Sequence, residues 1–259
     1  MKFRIATGCL LIVVGTCTLA SAQNPFVGTW KLNQAKSHLT GDTVTYSTSA
    51  DGAMKETTAF GSYTFKTDGQ PYATPFDSTV TWKQTGPSTW GTEDRHQDIL
   101  LSTDIIQVSE DGKTMTVISS GTNPDGTDFH DTEVYTRTAG TSGLMGTWRS
   151  EKIKSSTSPA IEFAANGPDG IAWILPEIKA KLDLTFDGKD VAPVGPTVPA
   201  GLTIAATKNS PRSFSFVEKM NGKPLAKGSM SVAHDGKTLT DTSSAMNEKN
   251  QRTAVYDKE

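Results

Sequence analysis

Cysteine is scarce in this chain, and the two that occur, Cys9 and Cys17, both lie among the first 22 residues. That segment has a basic start, an apolar stretch and an A-x-A pattern at Ala20 and Ala22, which is typical of a cleaved export signal. We expect cleavage after Ala22 and a secreted or periplasmic mature protein; a lipid anchor on Cys17 is the alternative. Cleavage would leave no cysteine, and therefore neither a disulfide framework nor a cysteine nucleophile.

An excess of one charge sign is also lacking, since 25 Lys and Arg stand against 28 Asp and Glu, for a net charge of −3. A basic face that would attract a nucleic acid or an anionic membrane is therefore not expected. The apolar stretch of the export signal is too short, and too rich in Gly and Thr, to span a bilayer as a helix. We expect no nucleic-acid partner and no membrane span.

Catalytic motifs are missing as well: the chain has no G-x-S-x-G elbow, no Walker loop and no dinucleotide-binding glycine pattern. Two pairs of residues have side chains that could serve in catalysis or metal binding. Asp94 and His96 are a candidate acid–base pair, and Asp128 and His130 are candidate metal ligands. Solvated strand residues are the preferred interpretation of both, because two ligands are too few for a zinc site and exposed charges are common. The sequence thus predicts no catalytic residue, no metal, no cofactor and no enzyme activity.

What the sequence does contain is a long internal repeat. The stretch FVGTWKLNQAKS at Phe26–Ser37 is matched by LMGTWRSEKIKS at Leu144–Ser155, and VSEDGKTMT from Val108 is matched by VAHDGKTLT from Val232. The matching stretches keep their order at near-constant spacing. This regularity favours a tandem duplication over chance.

Both copies alternate apolar and polar residues with a period of two, which indicates β-strands that place one face on a core. Asp-Gly and Asn-Gly pairs between these runs predict hairpins with type I′ turns. The chain should therefore consist of a signal peptide at 1–22, a β-barrel at 23–138 and a second β-barrel at 144–259. We predict an all-β fold of two tandem antiparallel up-and-down barrels; one larger barrel, with half of its strands from each copy, is the alternative.

The Gly-x-Trp sequence early in a first strand resembles the opening motif of the calycin group, which includes the lipocalins. Over nearly its whole length, the chain is similar to secreted bacterial proteins with duplicated lipocalin-like domains, a family of no established activity. The resemblance implies that four residues form the barrel floors: Gly28, Trp30, Gly146 and Trp148. It also implies a cation beside each tryptophan of the same copy, from Arg137 in the first and Lys258 in the second.

The barrel layout and the export signal favour a binding protein that holds a small apolar or amphipathic molecule in a barrel interior. The alternative is a structural or interaction module with filled barrels, which would bind a protein or glycan through the Pro-rich loops Thr67–Ser78 and Ala192–Gly201. A small hydrophobic molecule is the expected partner. Alternation assigns these candidate ligand-binding residues to the barrel interiors: Tyr63, Phe65, Trp82, Tyr135, Trp173, Phe186, Phe214 and Phe216.

Overall fold

The computed structural model describes residues 24–140, 142–246, 248 and 250–259. The predicted signal peptide at 1–22, with both cysteines, lies outside the described residues. Across the described ranges, no helix has the length and apolar character that a membrane crossing requires. One short 3-10 helix is present at Gln34–Lys36, and the other regular elements there are β-strands.

The strands form two antiparallel sheets of ten strands, and each sheet curls into a nearly closed barrel. The predicted fold class, all-β with two tandem barrels, is confirmed. The first barrel contains β2 (Thr43–Thr48), β3 (Met54–Thr58), β4 (Gly61–Phe65), β5 (Asp68–Ala73), β6 (Thr79–Gly86), β7 (Thr89–His96), β8 (Ile99–Val108), β9 (Thr114–Thr122), β10 (Asp128–Ala139) and β11 (Gly146–Lys154). The second barrel contains β1 (Gly28–Leu32), β12 (Ala160–Asn166), β13 (Gly170–Leu175), β14 (Ala180–Leu184), β15 (Asp187–Val191), β16 (Leu202–Ser210), β17 (Ser213–Met220), β18 (Lys223–Val232), β19 (Thr238–Ala245) and β20 (Arg252–Lys258).

The boundary between the barrels differs from the predicted one. The first barrel is a continuous meander over residues 43–154. Its first and last strands, β2 and β11, pair with each other, which closes the barrel apart from a gap between β4 and β5. Strand β1 lies in the second barrel instead, between β20 and β12. The predicted domain ranges 23–138 and 144–259 are therefore wrong at their edges, because the hairpin from β10 to β11 keeps β11 in the first sheet.

The chain crosses between the barrels twice, and hydrogen bonds fix both crossings. After β1, the chain runs along β20, where His38 and Thr253 exchange two backbone hydrogen bonds (N–O distances of 2.7 and 2.8 Å). After β11, the Ser155 hydroxyl donates to Asp131 (2.9 Å), and the Leu32 backbone N–H donates to the carbonyl oxygen of Pro159 (2.9 Å). Two anchored segments thus join the barrels.

The repeated Gly-Thr-Trp lies at the position where each barrel closes. Trp30 and Trp148 are fully buried, and each indole N–H donates to the carbonyl oxygen four residues earlier, at 2.7 and 2.8 Å. Gly28 and Gly146 have φ angles of 133° and 134°, which strain an L side chain. At Gly146, a Cβ would also overlap the carbonyl group of Ala139. Glycine is therefore required at both positions.

The cation beside each tryptophan comes from the other copy. The guanidinium carbon of Arg137 lies 3.9 Å from the ring centroid of Trp148, and the Lys258 Nζ lies 4.9 Å from that of Trp30. The expected pairs within each copy, Arg137 with Trp30 and Lys258 with Trp148, are wrong. Because β1 and β11 each lie in the barrel of the other copy, both pairs are reversed.

In the described residues, neither barrel is closed by a continuous ladder: β4 and β5 share none in the first, and β14 and β15 share none in the second. The loop Ala192–Gly201 covers part of the second gap. Lys181 of β14 and Val194 of the loop exchange two backbone hydrogen bonds of 2.8 Å. The loop therefore takes the place of a neighbouring strand along the free edge of β14.

Among the predicted hairpin turns, type I′ geometry occurs at Asn221–Gly222 and not at the Asp-Gly pairs. Asn221 and Gly222, between β17 and β18, have φ angles of 51° and 76°, as a type I′ turn requires. At Asp111–Gly112, only the glycine is left-handed (φ 68°). The Asp111 carboxylate accepts from the Lys113 backbone N–H (3.0 Å), which forms an Asx turn and makes the expectation of type I′ geometry wrong there.

The closure of the first barrel predicts that residues 41–157 fold as an isolated fragment. This fragment contains every strand of the first barrel, including the nine-residue β11, whereas the fragment 23–138 has only the five-residue β1 to take its place. We expect the fragment 41–157 to unfold cooperatively, at a higher temperature than the fragment 23–138. Circular dichroism during thermal unfolding measures the difference, and equal or greater stability of 23–138 would contradict the observed closure.

Candidate ligand cavity

A cavity of about 390 Å³ occupies the first barrel. Its walls come from the inner faces of strands between β2 and β10, and Thr197 and Pro199 of the loop Ala192–Gly201 cover part of it. Pockets of this size hold small organic molecules. The cavity is therefore the candidate binding site.

One side of the cavity is aromatic. Tyr46, Tyr63 and Trp82 line it, and Phe65 stacks on Trp82 with ring centroids 4.2 Å apart. Tyr46 meets Trp82 edge to face at 5.9 Å. The Trp82 indole N–H donates to the Tyr63 hydroxyl (3.1 Å), which orients both rings. The wall thus offers flat apolar surface to a ligand.

Three carboxyl groups, those of Glu56, Asp94 and Asp104, line the same cavity. The Tyr63 hydroxyl donates to Glu56 (2.9 Å), and the Thr92 hydroxyl donates to Asp104 (3.0 Å). One oxygen of Asp94 and one of Asp104 are buried without a hydrogen-bond partner among the described residues. Within that same part of the chain, no Lys or Arg lines the cavity. The interior is therefore acidic, and His96 is the basic residue that borders it among the described residues.

Burial raises the pKa of two of these acids, Glu56 and Asp94. Loss of hydration raises the pKa of Glu56; the Tyr63 and Tyr46 hydroxyls oppose this rise, and the charges of Asp104 and Asp94 add to it. Loss of hydration is also the largest cause of the raised pKa of Asp94, to which the charge of Asp104 contributes. Each ionised carboxylate thus makes ionisation of the next one harder. A cation among them would favour their ionised forms.

The acid–base candidates Asp94 and His96 both border this cavity. The preferred interpretation, a pair of solvated strand charges, is wrong here: His96 is 4% exposed, and its Nδ1–H donates to the Asp77 carbonyl oxygen (3.0 Å). The hydrogen-bonded ladder between β7 and β8 shifts register between Asp94 and Arg95. Glu93 and Arg95 form an exposed ion pair on the other face (3.3 Å).

Aromatic side chains fill the centre of the second barrel, where the first is hollow. The cross-strand pair Thr92–Asp104 of the first barrel corresponds to Phe216–Gly228 in the second. A Cβ at Gly228 would overlap the Phe216 ring, so the missing side chain makes room for that ring. The two barrels therefore differ at two equivalent positions. Thr92 and Asp104 border a polar cavity in the first barrel, whereas Phe216 and Gly228 form part of a packed core in the second.

The predicted interior residues divide between cavity and core. Three line the cavity of the first barrel: Tyr63, Trp82 and Tyr135. The others pack in or against the cores, Phe65 in the first barrel and Trp173, Phe186, Phe214 and Phe216 in the second. Strand β14 ends before Phe186, whose backbone is left-handed (φ 57°). Trp173 also borders a second, smaller pocket.

Sequence reasoning missed Glu56 and Asp104, and it placed Asp94 in solvent. A signal was nevertheless present, because Asp104 alternates in phase with the buried residues Ile106 and Val108 of its strand. An acid at a core-facing position of a strand indicates a buried charge pair or a polar cavity. The same signal applies to Asp94, which is in phase with buried residues of β7.

The candidate metal ligands Asp128 and His130 have ordinary polar partners near the surface of β10. The Thr122 hydroxyl donates to Asp128 (2.7 Å), and the His130 Nδ1 lies 2.8 Å from the Ser120 hydroxyl oxygen. Over the described ranges, no group of three or more His, Cys, Asp or Glu side chains is arranged to hold a metal ion.

Two further acids, Glu218 and Asp241, are half-buried in the second barrel. Burial raises the pKa of Asp241 to about 7; the charge of Glu218 adds to the rise, and the charge of Arg252 opposes it. Burial also raises the pKa of Glu218. One oxygen of Asp241 has no hydrogen-bond partner in the described part of the chain. Ionisation of Asp241 therefore opposes folding.

No family model, curated protein or solved structure matches this chain. Because a barrel of this kind can host unrelated functions, function has to be inferred from the site itself. The acidic, partly aromatic interior of the first barrel is the feature that distinguishes it from a packed core.

The substitution Asp241→Asn is expected to stabilise the protein near pH 8 and to have little effect near pH 4. The folded-state pKa of about 7 exceeds the ordinary Asp value of about 3.9, so the free energy of unfolding falls as the pH rises between these values. The variant removes this ionisation and should gain up to about 4 kcal/mol near pH 8. Urea unfolding at both pH values measures the gain.

The exposed Asp98 supplies the matched control, because Asp98→Asn makes the same chemical change in solvent. That control should alter stability little at either pH. A gain for Asp241→Asn that is equally large at both pH values would show that ionisation is not its cause.

Proposed function

We propose that the first barrel binds a small amphipathic molecule that carries a basic amine and an aromatic or other apolar body. The observation that carries this proposal is the cavity of about 390 Å³, which the first barrel keeps open where the second is filled. Its carboxyl groups suit a protonated amine, and Tyr46 and Trp82 suit an apolar body and a nearby cation. A wholly apolar ligand would leave the buried carboxyl groups without partners, so it fits less well.

The alternative function, an interaction module that binds through its Pro-rich loops, has less support. Thr197 and Pro199 cover part of the cavity, and the Ala200 backbone N–H donates to Asp77 (3.3 Å). Asp77 lies after β5, in the part of the predicted loop Thr67–Ser78 that is not strand. The two connections therefore contact each other, and both of them line the cavity. This arrangement favours a role in enclosing a ligand.

The proposal includes export from the cytoplasm. It is supported by the N-terminal sequence pattern, which ends in the A-x-A site at Ala20 and Ala22. The resemblance to secreted bacterial proteins with duplicated lipocalin-like domains supports it as well. We propose that the protein binds its amine ligand outside the cytoplasm.

A pair of matched probes tests the ligand class. The compounds 2-phenylethylamine and 2-phenylethanol differ in one polar group, and we expect the amine to bind at least about tenfold more tightly near pH 7.5, because it forms charge-assisted hydrogen bonds. Isothermal titration calorimetry measures both affinities. The substitution Asp94→Asn should remove most of the preference, while Glu93→Gln, on the outer face of the same strand, should preserve it. Equal affinities for the two probes would contradict the proposed ligand class.

A second experiment fills the cavity in the way that the second barrel does. The double substitution Thr92→Phe with Asp104→Gly copies the pair Phe216–Gly228 into the first barrel. We expect this variant to keep cooperative thermal unfolding and to lose binding of 2-phenylethylamine. If a folded variant bound the amine as well as the natural protein does, the interior of the first barrel would not be the site.

A further inference from the structure

A second pocket, of about 200 Å³, lies in the second barrel beside the free edge of β14. The loop Ala192–Gly201 spans this edge and contributes Val198 to the pocket wall. Strand residues such as Leu182 and Ile204 form the inner side. The walls are mostly aliphatic side chains and prolines, so the pocket suits an apolar molecule.

Trp173 lines this pocket and carries an unused hydrogen-bond donor, whose nitrogen the surrounding atoms shield from solvent. The residue is 9% exposed, and its indole N–H has no hydrogen-bond partner among the described residues. By contrast, Trp30, Trp82 and Trp148 each donate to an oxygen. A buried donor without an acceptor lowers stability, and a ligand that supplied the acceptor would recover that loss.

We propose that this pocket is a second binding site, for a small, uncharged and largely apolar molecule with one hydrogen-bond acceptor, such as an aryl ketone. A small rotation of the Trp173 ring would bring its indole N–H to the acceptor, and the apolar body would pack on Leu182, Val198 and Ile204. The pocket also borders two ionisable residues, Lys181, whose charge is paired with Asp183 (3.0 Å), and Glu218. Burial raises the pKa of Glu218, which favours a neutral carboxyl group and suits an uncharged ligand.

The pocket is distinct from the cavity that the first barrel encloses. The cavity is lined by acids and aromatic rings of the first sheet, whereas the pocket is lined by residues of β13, β14, β16, β17 and the loop. Thr197 and Pro199 of the loop border both spaces. The inference therefore goes beyond the proposed amine site and does not depend on it.

Acetophenone and α-methylstyrene are the matched probes, because the second replaces the ketone oxygen by a methylene group at nearly unchanged shape. We expect acetophenone to shift the indole N–H signal of Trp173 saturably in proton–nitrogen correlation spectra of the full chain. The signal is assigned by its loss in Trp173→Phe. The ketone should bind about tenfold more tightly than the hydrocarbon, since it adds one buried hydrogen bond. In the Trp173→Phe variant, binding is followed through the signals of the remaining pocket residues. The preference for acetophenone over α-methylstyrene should disappear in this variant.

Two Val→Phe substitutions in the same loop give a matched pair. Val198→Phe places a ring in the pocket and should abolish acetophenone binding, whereas Val194→Phe changes a side chain that is 65% exposed and outside the pocket, and should leave binding intact. The filled first-barrel variant Thr92→Phe with Asp104→Gly should also bind acetophenone normally. This result separates the second site from the amine site, whether or not the amine site exists.

The proposal is overturned if acetophenone causes no saturable shift of the Trp173 signal up to its solubility limit. It is equally overturned if both probes bind alike to the natural protein, or if binding survives in a folded Val198→Phe variant. Saturable ketone-selective binding that is lost in Val198→Phe and kept in Val194→Phe supports it.

Discussion

An antiparallel sheet leaves backbone groups unpaired along its free edges, and in the first barrel the pairing of β11 with β2 closes the ring of strands apart from the gap between β4 and β5. Strand β11 carries Trp148, and Arg137 of the neighbouring β10 lies over its ring, so the strand that closes the sheet also supplies its buried tryptophan. Because β11 is used in the first barrel, β1 closes the second barrel from the opposite end of the sequence. The two anchored crossings between the barrels follow from this closure.

Two sheets with the same strand order have different interiors because of a few side chains. Thr92 and Asp104 hold a hydrogen bond beside a cavity, whereas Phe216 fills the equivalent space over Gly228. The number of strands fixes how wide each barrel is. The side chains that point inward decide whether the interior is filled or left open. The buried acids of the first barrel are thus a property of its inner surface and not of the fold.

Much of the fold was predictable, because alternation and turn residues are local signals. The exchange of β1 and β11 was not recognised, since both strands begin with the same Gly-Thr-Trp and either satisfies the motif. The connection lengths do distinguish them: few residues separate Ala139 from Gly146, as a hairpin needs, while the segment from Leu32 to Thr43 is long enough to cross. The acids of the cavity come from separate strands, and only the closed sheet brings them together.

We propose that a bound cation completes the acidic space inside the first barrel. Carbon NMR of the side-chain carboxyl groups, titrated with and without 2-phenylethylamine, tests it most directly. We expect the pKa values of Glu56 and Asp94 to be raised above their ordinary values in the free protein and to fall when the amine is bound. Titration of both groups at ordinary carboxyl values, unchanged by the amine, would contradict it.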